Sequence, residues 1–311
     1  MKMDAMKTDA KSDKTLPYAR LTSEVMGYTT EFFRNRRFEQ LMPVILSPIT
    51  DPLGPDPGSS VIKTGEVEYY GQRLCLTQSM ILHKQLALKR GLGRIFILSP
   101  NVRLEHERRA GSGRHLFEFS QADFEIAGAG MEEVFALMEE YMGGLTAHMR
   151  SACAVELAGL GRKLPAFSGP FPRYTTAELA EKYSSDWELP ASQAASTPFW
   201  ALSHKREFYD AEDPDRPGHY FNYDLIYPEG FGEALSGARR EHEYERILMR
   251  IGRDGLESGR YAAYLELAKE GLVPSAGGGF GIERLVRYIA GAPHVADVQL
   301  FPRIPGRKVV A

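Results

Sequence analysis

Two long apolar-rich runs, RIFILSPNVRLE (94–105) and HLFEFSQADFEIAG (115–128), flank a short basic, glycine-containing connection, HERRAGSGR (106–114). Such runs, so close in sequence, predict a long antiparallel hairpin with a mobile charged tip. Side chains two residues apart share a face of a strand. Arg103 and Glu105 therefore face the same way on the outgoing strand, and Phe119, Gln121 and Asp123 share a face of the return strand. An arginine and a glutamate facing an aromatic ring and an aspartate suit a nucleotide platform. The cation would hold phosphate, the ring would stack on a base and the carboxylate would hold an amine.

The rest of the chain supports a mixed fold around this hairpin. A helix is expected over 22–36, opened by Thr22 or Ser23, with Val25, Tyr28, Phe32 and Phe33 on one face. From Pro43 an extended run leads into TDPLGPDPGSS, whose prolines and glycines predict a long surface loop. A small hairpin (VEYY, then RLCLT) and a helix (SMILHKQLALKRG) follow. Residues 131–150 predict an amphipathic helix whose methionine stripe suits core or dimer packing. Residues 160–218 read as an irregular, proline-rich insertion with one helix, TTAELAEKY. A strand (HYFNYDLIY), two helices (REHEYERILMRIG and GRYAAYLELAKEG) and GGGFGIERLVRYIAG complete the chain. The expected class is α+β with a mainly antiparallel sheet flanked by helices. The expected organisation is a disordered tail over 1–17 and one catalytic domain over 18–311.

Composition narrows the function classes. The 311 residues carry a formal net charge of −3, which weighs against a dedicated nucleic-acid binder. Two cysteines exclude a disulfide framework and a multi-cysteine zinc site, and fit a reducing, cytoplasmic setting. No run approaches the roughly 18 apolar residues of a membrane span, so no membrane partner is expected. GGGFG lacks the spacing of a dinucleotide fingerprint, and no G-x-x-x-x-G-K-[ST], H-E-x-x-H, C-x-x-C or G-x-S-x-G occurs. Met1 is not followed by a cysteine and neither cysteine has a glutaminase-like context, so free ammonia is the expected source of any nitrogen.

Two further clusters carry chemistry. Asp224, Glu233 and Arg240 suit a Mg²⁺–phosphate site, because hard oxygen ligands favour Mg²⁺. In Gly279-Phe280-Gly281-Ile282-Glu283-Arg284 the glycines allow close backbone approach, and Arg284 in a first helical turn can aim at phosphate. Taken singly, each has a plainer reading as a surface ion pair, a core ring or a solvated helix residue. Their joint order is what singles them out.

That order resembles the class II aminoacyl-tRNA synthetase core, in its aspartyl/asparaginyl subgroup, over about residues 22–305. Helix 22–36 with Pro43 resembles motif 1, the dimer element, so a homodimer is expected. VRLEHERRAGSGRHLFEFSQADFEI resembles motif 2, and GGFGIERL followed by VQLFPR resembles motif 3. The resemblance implies an ATP- and Mg²⁺-dependent, AMP-forming ligase. Arg103 would bind the α-phosphate, Glu105 the adenylate end, His115 the terminal phosphates and Arg284 the γ-phosphate, with Phe119 stacked on adenine. Asp224 and Glu233 would hold Mg²⁺. Ser79, Lys84, Gln121, Asp123 and Arg240 would bind an amino-acid substrate, Asp123 through its amino group and Lys84 and Arg240 through a carboxylate. The catalytic set would be Arg103, Arg284 and Lys84.

Departures from the subgroup sharpen the expectation. Gln78-Ser79-Met80-Ile81 stands where Q-S-P-Q is usual, and Ala238-Arg239 replaces Gly-Gln. Motif 1 begins within the first twenty-five residues, leaving no room before it for an anticodon-binding barrel. SMILHKQ and LIYPEGFGEALSGARRE resemble the archaeal-type asparagine synthetases, stand-alone relatives of this core. These imply adenylation of the aspartate side chain and its amidation by ammonia, with no nucleic-acid partner. A specialised ligase acting on another carboxylate or carboxamide, an RNA aminoacylating enzyme without an anticodon reader and a non-catalytic sensor remain as alternatives.

Overall fold

The computed structural model describes residues 14–49 and 60–309. The strands of its main sheet are β1 (Glu39–Gln40), β2 (Arg94–Val102), β3 (Glu118–Ala127), β4 (Arg173–Thr175), β5 (Phe199–Leu202), β6 (Asn222–Tyr227), β7 (Gly232–Arg239) and β8 (Ser275–Gly281). Their spatial order is β1-β2-β3-β8-β7-β6-β5-β4. The outer pairs β1/β2 and β4/β5 are parallel and the inner pairs antiparallel, as expected for the α+β class. The helices are α1 (Thr15–Asn35), α2 (Ile81–Lys89), α3 (Met131–Ala152), α4 (Ala154–Gly159), α5 (Thr176–Tyr183), α6 (Glu188–Ala194), α7 (Tyr244–Arg253), α8 (Ala262–Lys269) and α9 (Ile282–Ala290).

The β2/β3 hairpin pairs Ile97 with Asp123, Ser99 with Gln121 and Asn101 with Phe119. Its alternation is the predicted one: Ala122, Phe124 and Ile126 enter the core, while Phe119, Gln121 and Asp123 face a cleft. α1, α3 and α9 supply the core on the other face, where Phe33 stacks on Phe96 with ring centroids 5.1 Å apart. Met138, Met142 and Met149 of α3 are buried there, which settles the methionine stripe as core. A second apolar cluster joins α2, α7 and α8 through Leu82, Phe208, Ile247 and Tyr264.

Four expectations are corrected. α1 starts at Thr15, so residues 15–17, assigned to the tail, are helical; Pro17 lies in the helix's first turn, where its missing N–H breaks no intrahelical bond. The hairpin tip is a 3₁₀ helix (Glu107–Ser112), secured by His294 Nε2 and the Ala110 carbonyl at 3.1 Å and by Val295 N–H donating to the Gly113 carbonyl at 2.8 Å. Residues 160–218 are not an irregular insertion. They supply strands β4 and β5 of the main sheet and helices α5 and α6, the former opened by a Thr175–Glu178 capping box. Finally, GEALSGAR and SAGGGFG are central strands that the sequence pattern leaves unassigned. In β8 a Cβ at Gly277 would lie 2.8 Å from the Glu125 Cα, so close strand packing requires glycine there. The predicted loop through residues 51–59 lies outside the described residues. Among the described residues no helix is long and apolar enough to cross a membrane.

Candidate active site

The cleft over β3, β7 and β8 consists of two adjoining cavities that share Arg103, Gln121, Glu233 and Gly279. The first is also lined by Glu105, Arg114, His115, Phe119 and Arg284, and the second by Ser79, Ile81, Lys84, Asp123, Arg206, Asp210, Ser236 and Arg240. The predicted site residues therefore converge, except that Asp224 lies behind the lining. Gly279 forms the floor between the two ends: a Cβ there would approach the Asp123 carboxylate to 2.6 Å.

Arg103 leaves the hairpin just past β2. Its Nε donates to the Gln78 carbonyl at 3.0 Å, and its guanidinium lies 5.1 Å from the Phe119 ring centroid. Glu105 accepts a hydrogen bond from Ser60 Oγ. Arg284, in the first turn of α9, donates to the Arg114 carbonyl at 3.1 Å and pairs with Glu233 at 3.3 Å. Glu283, beside it, accepts the Ser120 N–H and the Gln299 amide at 2.8–3.0 Å, tying α9 to β3. Arg114 pairs with Glu188 of α6, and the Glu233 N–H donates to the same carboxylate at 3.0 Å. The segment expected to be irregular thus braces the Arg114–Glu233–Arg284 side of the cleft.

Charge is dense here. Burial opposes ionisation of Glu233, but Arg284, Arg206, Arg114 and Arg103 outweigh it and hold the carboxyl at about 2. Burial, followed by Arg284, Arg114 and Arg109, drives His115 down to about 3. Its imidazole is therefore neutral at working pH. It lies 2.6 Å from Ser112 Oγ through Nδ1. A histidine NMR titration of the ligand-free protein is expected to show no His115 midpoint between about pH 5 and 8, against about 6.5 for an ordinary histidine. A midpoint near 6.5 would contradict this electrostatic picture.

The second cavity ends in a buried ion cluster. Lys84 Nζ lies 3.3 Å from Asp123, 3.4 Å from Glu125, and 3.2 and 3.0 Å from the Phe124 and Gly278 carbonyls. Arg240 donates twice to Glu125, at 3.0 and 3.3 Å, and to Asp210 and the Gly277 carbonyl, both at 3.2 Å. Both cations, expected to be free for a substrate carboxylate, are already matched by protein carboxylates. Gln121 accepts from Asn101 at 3.1 Å, and Ser79 Oγ accepts the Ile81 N–H at 3.2 Å. Ile81 lines this cavity and also packs into the second apolar cluster, where a glutamine would be desolvated.

Arg240 does not join Asp224 and Glu233, contrary to the cluster predicted from their order. Arg206 does: its guanidinium bonds both Asp224 and Ser236, and its charge reaches Glu233. Asp224 Oδ1 is buried with no hydrogen-bond partner. Two carboxylates, one with an unused buried oxygen, fit a hard divalent ion whose shell is completed by phosphate and water. Among the described residues no group of three or more His, Cys, Asp or Glu forms a complete protein cage for a metal. Arg206, Asp210 and Glu188 were not found from sequence. They lie in the aperiodic 160–218 stretch, where only the dense charge of SHKREFYD hints at a role.

The family described as tRNA synthetases class II (D, K and N) matches residues 2–305. An asparagine–tRNA ligase of Thermococcus gammatolerans is 29% identical across 98% of this chain and 73% of its own. The asparaginyl-tRNA synthetase of Pyrococcus horikoshii, solved with asparaginyl-adenylate, superposes with a TM-score of 0.85 at 26% identity, over 96% of this chain and 70% of that one. The Entamoeba histolytica asparaginyl-tRNA synthetase shares the fold, with a TM-score of 0.82 at 22% identity, over 95% of this chain and 69% of that one. Relatives named as tRNA ligases, matched along nearly the whole chain, overturn the expectation that nucleic acid is no partner. That expectation rested on net charge, which averages over a surface and does not report local basic patches, and on where the chain begins.

Proposed function

Because the chain belongs to the class II tRNA synthetases (D, K and N), we propose that it is an AMP-forming ligase that activates the side-chain carboxylate of aspartate with ATP and amidates it with ammonia. The supporting observation is the continuity of the cleft. Arg103, Gln121, Glu233 and Gly279 line both cavities, so an acyl group in the second lies next to a nucleotide in the first.

In this reading Phe119 stacks on adenine, Glu105 holds its edge, Arg103 binds the α-phosphate, and Arg284 and neutral His115 meet the terminal phosphates. A carboxylate oxygen of aspartate attacks the α-phosphorus and pyrophosphate leaves. Ammonia then attacks the acyl carbon, AMP leaves, and the adduct's extra proton passes to solvent. Positioning and charge neutralisation supply most of the rate. Asp224 and Glu233 would hold Mg²⁺, which supplies further neutralisation of phosphate charge. Ser79, Gln121 and Asp123 would hold the amino acid, backed by Lys84 and Arg240. Removing the Phe119 ring should weaken ATP binding by about 1–3 kcal/mol, the usual worth of base stacking. Phe119→Ala is thus expected to raise the KM for ATP, with the KM for aspartate little changed.

A second reading, transfer of an activated amino acid to tRNA, is favoured by the relatives that carry that activity in their names. ATP–pyrophosphate exchange across the amino acids, followed by acceptor assays with ammonia and with tRNA, separates the two. Exchange with aspartate and ammonia-dependent AMP release support the first. Exchange with asparagine alone and charging of tRNA support the second.

A further inference from the structure

The buried cluster at the far end of the second cavity carries an imbalance. Around Lys84 and Arg240 stand three carboxylates, Asp123, Glu125 and Asp210. Arg206, a further cation of the lining, is paired with Asp224, so a substrate carboxylate entering alone would meet cations already matched by protein carboxylates, with Asp123, Glu125 and Asp210 grouped around two of them. A group bearing an ammonium next to its carboxylate would offer these carboxylates a cation as it offers Arg240 an anion.

Hydrogen-bonding capacity is also left over at this end of the cavity. A guanidinium has five N–H donors, and Arg240 uses four, leaving one on Nη1. Asp210 accepts a single bond at each oxygen, 3.2 Å from Arg240 and 2.9 Å from Asn222, so each retains accepting capacity. Asp210 is 3% exposed yet belongs to the cavity lining. Burial, with the like charge of Glu207, raises its pKa, although Arg240 and Arg206 oppose the shift. Its backbone is fixed by Arg250, whose guanidinium donates to the carbonyls of Arg206, Glu207 and Asp210.

We propose that Asp210 is a specificity-determining residue: with Arg240 it forms a carboxylate–guanidinium pair that reads the α-ammonium and α-carboxylate of an amino acid, so that aspartate enters side chain first. This rests on the reading of aspartate as the acyl substrate and adds what orients it. The β-carboxylate then lies toward Arg103 and the nucleotide, and the head group toward Asp210, which takes the ammonium in place of Asp123, already paired with Lys84.

The test uses the full chain with ATP and Mg²⁺, and compares L-aspartate with succinate, which lacks the ammonium, and L-malate, which has a hydroxyl in its place. Hydroxylamine traps the adenylate and reports which carboxylate was activated. The wild type is expected to yield the β-hydroxamate and to prefer aspartate over both analogues by roughly 100-fold in kcat/KM, the scale of a lost hydrogen bond to a charged group. Asp210→Asn should raise the KM for aspartate roughly 10- to 100-fold and shrink the preference over succinate to below about tenfold, with the KM for ATP reporting an intact fold. If the variant does not fold, the wild-type series decides. Activation of succinate or malate within tenfold of aspartate, or formation of the α-hydroxamate, overturns the proposal. So does an Asp210→Asn enzyme with unchanged aspartate KM and preference, while aspartate stands as substrate. No exchange with aspartate in the wild type overturns the substrate reading and this inference together.

Discussion

Arg284→Ala is expected to slow ATP–pyrophosphate exchange roughly 10²- to 10³-fold, about 3–4 kcal/mol of transition-state stabilisation, with no change in fold. The side chain projects from the first turn of α9 into the first cavity and is not part of the apolar core. Its contacts are the Arg114 carbonyl and half-buried Glu233. Removing the guanidinium therefore takes a preorganised cation from the place where pyrophosphate charge would develop. It also deprives Glu233 of the cation that acts on it most strongly, so a carboxylate now held at about 2 would face the departing phosphates with less compensation. The two effects act in the same direction. Steady-state exchange alongside a thermal melt checks the expectation, and an unchanged rate would remove Arg284 from the phosphate site.

The second large effect falls on stability. Arg240 is 4% exposed and neutralises Glu125, 0% exposed, and Asp210, 3% exposed. Replacing one partner of a buried ion cluster leaves uncompensated charge, which costs about 3–5 kcal/mol. Arg240→Met, which keeps bulk and loses charge, is expected to show that loss in urea unfolding at neutral pH. The sign of its pH dependence follows from the carboxylates left behind. Burial already raises Asp210 with Arg240 present, and without it the folded value rises further above the unfolded one. Protonation then favours the folded state, so the deficit should shrink as pH falls and grow as it rises. A deficit independent of pH would mean the cluster is not held by charge.

What was legible in the sequence follows from what has a period. The β2/β3 hairpin and the cleft-facing set Phe119, Gln121 and Asp123 were readable because strand side chains alternate and the core-facing set is strongly apolar. Arg284 was readable because Gly279-Phe280-Gly281 leads straight into an amphipathic helix whose first turn carries it. β7 and β8 were not, since GEALSGAR and SAGGGFG have little intrinsic strand preference. They are strands because hydrogen-bonded neighbours flank them on both sides. Arg206 and Asp210 were hidden for a related reason. Their segment follows β5 without regular structure, and Arg250 of α7 fixes its path from far along the chain. The pairing of Lys84 and Arg240 with carboxylates was equally invisible. Glu125 lies two residues from Asp123, on the same face of β3, but its partners come from α2 and from the end of β7.

On the proposed reading the cleft joins ATP, aspartate and ammonia. The most direct measurement is mass spectrometry on purified protein given ATP, Mg²⁺, L-aspartate and isotopically labelled ammonium. Asparagine labelled at its side-chain amide, formed in equal amount with AMP and pyrophosphate, is the predicted result. AMP and pyrophosphate released with no labelled asparagine, or nucleotide left intact in the presence of aspartate, would rule out ammonia-dependent amidation of aspartate in this cleft.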